Sequence, residues 1–300
     1  MNVTTLLNNG DSLRTLNIYA SHNAGIRDTT MNIASGLKVR SASDNPANWA
    51  ISEKMREQFR SVEQADVNVQ NDTSLVKVAE AAIATTIEII QTLKARAVNA
   101  ASDHNNNDDR AIIQTEAKEL LGQVDNISKT ATFNGKSLLD GSQASEGLHF
   151  HIGGEANFYI NLKLNDMSAS ALELNRLDLS TRTGAQDALG VKDSTGKYVH
   201  SITNSDGTKT YGILDTALNK ALEEQTKLGA MEERLGFTRD NLNNISENTQ
   251  SAISTLVDAD IAKEMSRYVK YNILSQASQY MLAQMNQNAV SAIDLLIPMQ

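Results

Sequence analysis

The sequence predicts a mainly α-helical protein in which long, coiled-coil-like helices from both chain ends pack together, with a β-hairpin and a small loop-rich excursion at mid-chain. Apolar residues recur every seven positions over long stretches near both ends. Only two prolines occur among 300 residues, so the commonest helix breaker is nearly absent. Alternating apolar residues and closely spaced glycines are confined to the middle of the chain.

The longest periodic stretch, residues 53–100, predicts a long helix with an apolar seam. Its main apolar row repeats every seven residues: Val62, Val69, Val76, Ile83 and Ile90. A second amphipathic helix is predicted after the polar segment 103–109. The heptad spacing returns, in two offset rows, in a third seam near the other end: Leu235, Leu242, Ile245 and Leu256. One helix cannot bury such a stripe alone, so we expect these helices to pack against one another.

The middle of the chain has a different pattern. Asn134-Gly135 is a strong signal for a tight turn. Apolar and polar residues then alternate on both sides of Gly153-Gly154, which predicts a β-hairpin at about 148–165. Residues 177–212 contain five glycines and few large apolar side chains, and we interpret them as a small, loop-rich excursion.

Both chain ends are poor in charge. Near the N-terminus, Leu6, Leu13 and Ala20 are seven residues apart, and residues 271–293 contain no Asp, Glu, Lys or Arg. We expect the two ends to pair as helices that are disordered in the monomer and fold when subunits assemble. The predicted self-assembly interface draws on both ends: Leu6, Leu13, Leu16, Met265, Val269, Ile273, Leu274, Ala277, Tyr280 and Met281.

Composition and charge exclude several classes of function. The net charge of −9 argues against binding to nucleic acid, whose phosphates repel such a surface. Ten of the 23 residues from 271 to 293 are Asn, Gln or Ser, which favours a protein interface over a membrane. The chain has no cysteine, and therefore no disulfide or thiolate metal site. Residues 1–20 lack the pattern of a secretory signal peptide, so we expect any export to use another route.

No motif points to catalysis or to a bound cofactor. The phosphate loops GxGxxG and GxxxxGK[ST] and the catalytic motifs HExxH and GxSxG are all absent from the sequence. His149 and His151 share one face of the predicted hairpin, where they would need a third ligand to hold a metal. No such ligand lies at suitable spacing, so we interpret them as an exposed strand face. We predict a protein without catalytic residues, cofactor or metal.

Three groups of short segments closely resemble bacterial flagellins. Residues 35–39 (SGLKV) and 44–56 (DNPANWAISEKMR) are similar to the N-terminal signature, except that Trp49 stands where the family usually has a small residue or leucine. Residues 132–141 (TFNGKSLLDG) resemble the junction between helix and hairpin. The C-terminal signature is matched by DADIAKEM, NILSQAS and MLAQ within residues 258–284. The resemblance covers residues 1–175 and 215–297.

The resemblance implies a non-enzymatic subunit that self-assembles into the extracellular filament of the bacterial flagellum for swimming motility. It also implies an inner layer of terminal helices (1–40 with 260–300), a helical rod with a β-hairpin (41–176 with 213–259) and a solvent-facing variable segment (177–212). Flagellins are exported unfolded by the flagellar type III system and meet an export chaperone, cap proteins and junction proteins. These are expected partners besides further copies of the chain.

A host Toll-like receptor is a further partner that the resemblance suggests. Thr92, Lys94 and residues 97–99 resemble the segment that the receptor reads, but Thr92 replaces the key arginine of the family. We expect weak receptor recognition.

Two alternative functions stay open at this point. A hook-filament junction protein would share the terminal helices, although the match at residues 273–284 favours a flagellin. A secreted enzyme on a flagellin-like frame would need a catalytic insert, for which residues 177–212 are short and lack paired ligands.

Overall fold

The computed structural model describes residues 10–154, 157–193, 196–203 and 209–294, apart from the side chains of 203, 209, 289 and 292–294. Helices dominate the described residues: α1 (Gly10–Ser35), α2 (Pro46–Ala101), α3 (Asn107–Thr130), α4 (Arg182–Leu189), α5 (Ile213–Val257) and α6 (Ile261–Asp294). The strands are short: β1 (Thr132–Phe133), β2 (Lys136–Ser137), β3 (Leu148–His151), β4 (Tyr159–Leu162), β5 (Val191–Lys192), β6 (Tyr198–Val199), β7 (Ser201–Thr203) and β8 (Lys209–Tyr211). The predicted fold class is confirmed.

The chain forms two compact units. The terminal unit consists of the described parts of Met1–Phe59 and Glu247–Gln300, and the central unit is Arg60–Ser246. The helices α2 and α5 contribute residues to both units. The three-part division expected from the sequence describes the assembled protein and stays a prediction.

The heptad seam of α2 lies in the core of the central unit. Its five predicted members are buried together with Leu235 and Leu242 of α5, and Ile245 packs against this core half-buried. Two ion pairs, Lys77–Glu232 and Asp66–Arg239, each 3.3 Å long, show that α2 and α5 run antiparallel here. The apolar rows therefore face each other in this stretch of the two helices.

The end of α2 is held by a buried arginine of α3. Arg110 is only 6% exposed, and its guanidinium donates hydrogen bonds to the carbonyl oxygens of Ala100 (2.8 Å) and Ser102 (2.9 Å). These are carbonyls that a helix terminus leaves without internal partners. The next helix begins with a capping box between Asn106 and Asp109. The polar segment 103–109 is thus a turn between two capped helices.

The two predicted turns of the middle region occur where expected. Asn134 and Gly135 both have positive φ (48° and 78°), as a type I′ turn requires, and they close the β1–β2 hairpin. Strands β3 and β4 pair antiparallel with Phe150 opposite Ile160, and both side chains are buried. Phe158 departs from the predicted alternation: it is 55% exposed because β4 begins only at Tyr159.

The mid-chain excursion contains more regular structure than its glycines suggest. It holds the eight-residue helix α4 and four strands, paired as β5–β6 and β7–β8. The hydroxyl of Thr181 accepts a hydrogen bond from the Gly184 N–H and caps α4. Turn-forming glycines here connect very short elements, which periodicity cannot detect.

Candidate assembly surface

The terminal unit is built on the pairing of α1 with α6. Side-chain hydrogen bonds connect the two helices. The Gln279 amide donates to the Tyr19 hydroxyl (2.9 Å), the Ser275 hydroxyl donates to the Asn23 amide oxygen (3.1 Å), and the Thr15 hydroxyl lies 3.6 Å from the sulfur of Met285. Rising numbers on α1 meet falling numbers on α6, so the pair is antiparallel.

Polar and small residues form the seam between α1 and α6. Thr29 is buried on α1, and Ser275 and Ser278 are buried on α6. At Gly25 a Cβ atom would lie 2.9 Å from the ring of Tyr271, so the aromatic ring packs directly on the backbone of α1. Hydrogen bonds from Asn23 and Gln279 lower the pKa of the Tyr19 hydroxyl. This seam is therefore held by hydrogen bonds and close approach more than by large apolar side chains.

The predicted interface residues lie mainly on the outer faces of the two helices. Seven are large and exposed: Leu13, Leu16, Met265, Val269, Ile273, Tyr280 and Met281. The exposed fraction reaches 60% for Ile273 and 77% for Tyr280. Ala277 is also exposed, Leu274 is half-buried, and Leu6 lies outside the described residues. The structure thus leaves an apolar outer face on both paired helices.

Further exposed apolar residues on these helices were missed by the sequence reading. They are Ile18 and Met31 on α1 and Ile261 and Val290 on α6. The spacing predicts two of them. Met31 follows Ala20 by eleven residues, or three helical turns, and Ile261 precedes Met265 by four, so each shares a helix face with a predicted residue. Ile18 and Val290 fall outside the rows that we followed.

A connection with left-handed backbone attaches the end of α1 to the end of α5. Gly36 has φ 71° and its N–H donates to the Asn32 carbonyl (2.9 Å), which ends α1. The Lys38 N–H then donates to the Val257 carbonyl at 2.7 Å. A small apolar cluster covers this connection: Val39, Ile253 and Val257, with Leu37, Trp49, Met55, Phe59 and Leu256 packed against it. Leu256 of the predicted third seam packs here, and so does Trp49, which departs from the family pattern.

The carboxylate of Asp44 closes the loop that follows. It accepts hydrogen bonds from the backbone N–H groups of Arg40 (2.9 Å) and Ser41 (3.1 Å). The Arg40 N–H bond is the main reason that the pKa of Asp44 is lowered. The Arg40 guanidinium also binds Asp28 of α1 at 2.6 Å. These contacts restrain the segment between α1 and α2.

The predicted strand face with two histidines shows no metal-binding arrangement. His149 and His151 are both exposed on β3, and His149 packs against the ring of Tyr159 at 4.7 Å. Within the described ranges, no group of three or more His, Cys, Asp or Glu side chains could hold a metal ion. An open groove of about 890 Å³ beside α4 is lined by charges that pair among themselves, such as Lys220 with Glu173. In the described part of the chain, no helix is long and apolar enough to cross a bilayer.

Two protein-family models match this chain. A model of the bacterial flagellin N-terminal helical region matches residues 6–144, and a model of the bacterial flagellin C-terminal helical region matches residues 211–296. The chain belongs to the bacterial flagellin family. The segment between the two matches, residues 145–210, contains the β3–β4 hairpin and most of the excursion. This is a family of structural proteins, so the chain is a subunit of the extracellular flagellar filament and not an enzyme.

Two relatives in sequence agree with this assignment. A flagellin of Bacillus subtilis (strain 168) is 36% identical over 95% of this chain and 97% of its own length. Flagellin FlaB2 of Treponema pallidum (strain Nichols) is 34% identical over 91% of this chain and 93% of its own length. Among solved structures, Bacillus cereus flagellin is 25% identical, with a TM-score of 0.45, and the match covers 59% of this chain and 88% of that one.

Proposed function

We propose that the chain polymerises because filament assembly buries the apolar outer faces of α1 and α6 between neighbouring copies. The observation that carries the proposal is the direction of the side chains. The seam of this helix pair is polar, while Ile273, Tyr280 and Leu13 point to solvent. An apolar face of this extent on paired helices marks a protein–protein interface.

Burial of this apolar face contributes favourably to the free energy of assembly. Completing the burial of a half-exposed large apolar side chain contributes about 1 kcal/mol. Seven predicted interface residues of this kind therefore contribute several kcal/mol per subunit, before the cost of association. The small Ala277 on the same face of α6 allows close approach of a neighbouring helix.

We further propose that the chain is exported unfolded by the flagellar type III system and that its ends fold on assembly. A pair of helices with a polar seam gains little from its own packing and is marginal in water. An export chaperone that covers the outer face would prevent premature association, and the cap and junction proteins would offer the same face its first partners. The absence of cysteine suits passage as an unfolded thread.

Recognition by a host Toll-like receptor is proposed to be weak. Thr92 is exposed, and its hydroxyl donates to the Glu88 carbonyl at 2.9 Å within α2. The side chain therefore presents neither a charge nor a free hydroxyl proton at the position where the family has arginine.

Salt-induced polymerisation tests the main proposal. Ammonium sulfate strengthens apolar burial, so purified chain should form long filaments that are visible by negative-stain microscopy. The double variant Ile273→Ser/Tyr280→Ser should raise the critical concentration at least about tenfold, since a loss of 1.4 kcal/mol already has this effect. The matched control is Gln276→Ser, which lies on the same exposed helix surface and removes no apolar group.

The outcomes separate the alternatives. Normal polymerisation of the double variant would contradict assembly through this face. A folded full-length chain that stays monomeric at every salt concentration would instead favour a hook-filament junction protein, which does not form long filaments alone.

A further inference from the structure

Two buried oxygen atoms in the terminal unit have no hydrogen-bond partner. One is the side-chain Oδ1 of Asn32 on α1, and the other is Oε2 of Glu264 on α6. Asn32 is 7% exposed and Glu264 is 5% exposed. The second carboxylate oxygen of Glu264 pairs with Arg267 on the same helix at 3.0 Å. Buried acceptors without a donor are costly and call for an explanation.

The register of the helix pair places these two residues at the same level along the seam. On one side of them, Ser275 bonds Asn23 across the seam. On the other side, the Ala259 N–H donates to the Gly36 carbonyl at 2.8 Å. Between these fixed points, the antiparallel count brings residue 32 of α1 level with residue 264 of α6.

The side-chain amide of Asn32 can supply the donor that the free oxygen of Glu264 lacks. An amide carries an acceptor and a donor on the same planar group, and a half-turn about its last torsion exchanges them. With Nδ2 toward α6, Asn32 donates to the free oxygen of Glu264, and both groups are satisfied by a charge-assisted hydrogen bond.

We propose that Asn32 and Glu264 are the residues that determine the register of α1 on α6. This inference rests on the proposed function in one respect: the helices α1 and α6 are paired in the filament. Much of the rest of the seam consists of small or uncharged side chains such as Thr29, Ser275 and Ser278, so a slip there would leave no charge buried without a partner. A seven-residue slip would keep that character while moving Asn32 and Glu264 about 10 Å apart along the helix axis.

A slipped pair would leave the Glu264 carboxylate buried without its donor. Leaving a buried carboxylate oxygen without a hydrogen-bond donor costs more than exchanging small neutral residues. A buried polar contact at one position of a helix seam is a known way to fix the register of paired helices. Asn32 and Glu264 act here as positioning residues for assembly.

Disulfide mapping tests the register directly, because the chain has no cysteine of its own. The native register is reported by the pair Asn23→Cys/Ser275→Cys. The pairs Asn23→Cys/Leu282→Cys and Asn23→Cys/Tyr268→Cys report slips of seven residues in either direction, since their Cα atoms are too far apart to bridge in the native register. Each pair is oxidised in sedimented filaments and in the soluble chain, and intramolecular crosslinks are counted on denaturing gels.

The expected result depends on the two proposed residues. In the otherwise wild-type chain, slipped crosslinks should be at least about tenfold rarer than the native one, as a difference of 1.4 kcal/mol requires. The variant Asn32→Leu/Glu264→Leu keeps the seam packed and should raise the slipped crosslinks to a yield similar to the native one. Glu264→Gln retains an acceptor for Asn32 and should preserve the native pattern.

The controls keep this inference distinct from the proposed function. Asn17→Leu adds an apolar group to an exposed position of α1 and should leave the crosslinks unchanged. Exclusive native crosslinking in the Leu/Leu variant, or frequent slipped crosslinks in the wild-type background, would overturn the register proposal even if filaments form. Failure to form filaments, with native crosslinks in the soluble chain, would overturn only the assembly mechanism.

Discussion

The two compact units pair antiparallel helices with opposite side-chain chemistry. In the central unit, the seam between α2 and α5 is apolar: Val69, Val76 and Ile83 are completely buried. In the terminal unit, the seam between α1 and α6 is polar, and apolar residues such as Ile273 point outward. The first arrangement stabilises a single chain, and the second exposes apolar surface, which we propose is covered by neighbouring chains. On this proposal, the position of the apolar row separates a folding interface from an assembly interface.

The largest change in stability is predicted at the apolar seam between α2 and α5. Ile83→Ala should lower the free energy of unfolding of the monomer by about 2–5 kcal/mol, because it leaves a cavity at a fully buried position. Urea unfolding followed by far-UV circular dichroism measures this change. The control Val78→Ala, on the exposed side of the same helix, should change the value by less than about 0.5 kcal/mol. Equal effects of the two variants would show that the seam does not dominate the stability of this unit.

A carboxyl group interrupts the apolar seam and makes it sensitive to pH. Asp72 occupies the same seven-residue row as Ala65 and Ala79, and its Oδ2 atom is shielded without a hydrogen-bond partner. Burial raises the pKa of Asp72 to about 6. A raised pKa means that the folded chain disfavours the ionised form. The contribution to stability is therefore complete below the unfolded pKa near 4 and is lost as the pH rises through about 6.

Asp72→Asn should remove this pH dependence. At pH 8 the variant should be about 1–2 kcal/mol more stable than wild type, a value reduced from the full pKa shift because Asp72 is only partly buried. At pH 4 the two proteins should have nearly the same free energy of unfolding. Asp66→Asn on the same helix is the control: Asp66 is paired with Arg239, so its removal should not stabilise the chain. Equal stabilisation of the Asp72 variant at both pH values would rule out the carboxyl charge as the cause.

The apolar seams could be read from the sequence because their signal is periodic and strong. Val62 to Ile90 repeat every seven residues, and the structure buries all five of them. The Asn134-Gly135 turn was equally readable, since its backbone conformation depends on local chemistry. The small elements of the excursion could not be predicted, because strands of two or three residues are too short to show a periodic pattern.

The terminal seam could not be predicted by the same method. The heptad spacing selects Leu13 and Ala20, whereas the side chains that meet α6 are those of Thr15, Tyr19 and Asn23. A heptad search weighs apolar residues and therefore finds the outer face first. Only the partner helix shows that Gln279 and Ser275 supply matching hydrogen bonds. This polar seam can be recognised only in the structure, because the donors and acceptors that complete it lie more than 200 residues away along the chain.

The smallest effect is predicted at this polar seam. Tyr19→Phe removes the hydroxyl that accepts from Gln279 and should weaken the α1–α6 pair by about 0.5–1.5 kcal/mol. If the ends fold only on assembly, the monomer should unfold in urea as the wild type does, while the critical concentration for polymerisation rises by about two- to tenfold. Sedimentation of filaments over a range of protein concentrations measures the second quantity.

A second tyrosine on the same helix pair provides the control for this small effect. Tyr280→Phe removes a hydroxyl from the outer face and keeps its apolar ring, so it should leave the α1–α6 pair unchanged. A loss of monomer stability in Tyr19→Phe would mean that the helix pair is already formed before assembly. The polar seam would then stabilise the single chain, as the apolar seam does, and the two seams would not differ in function.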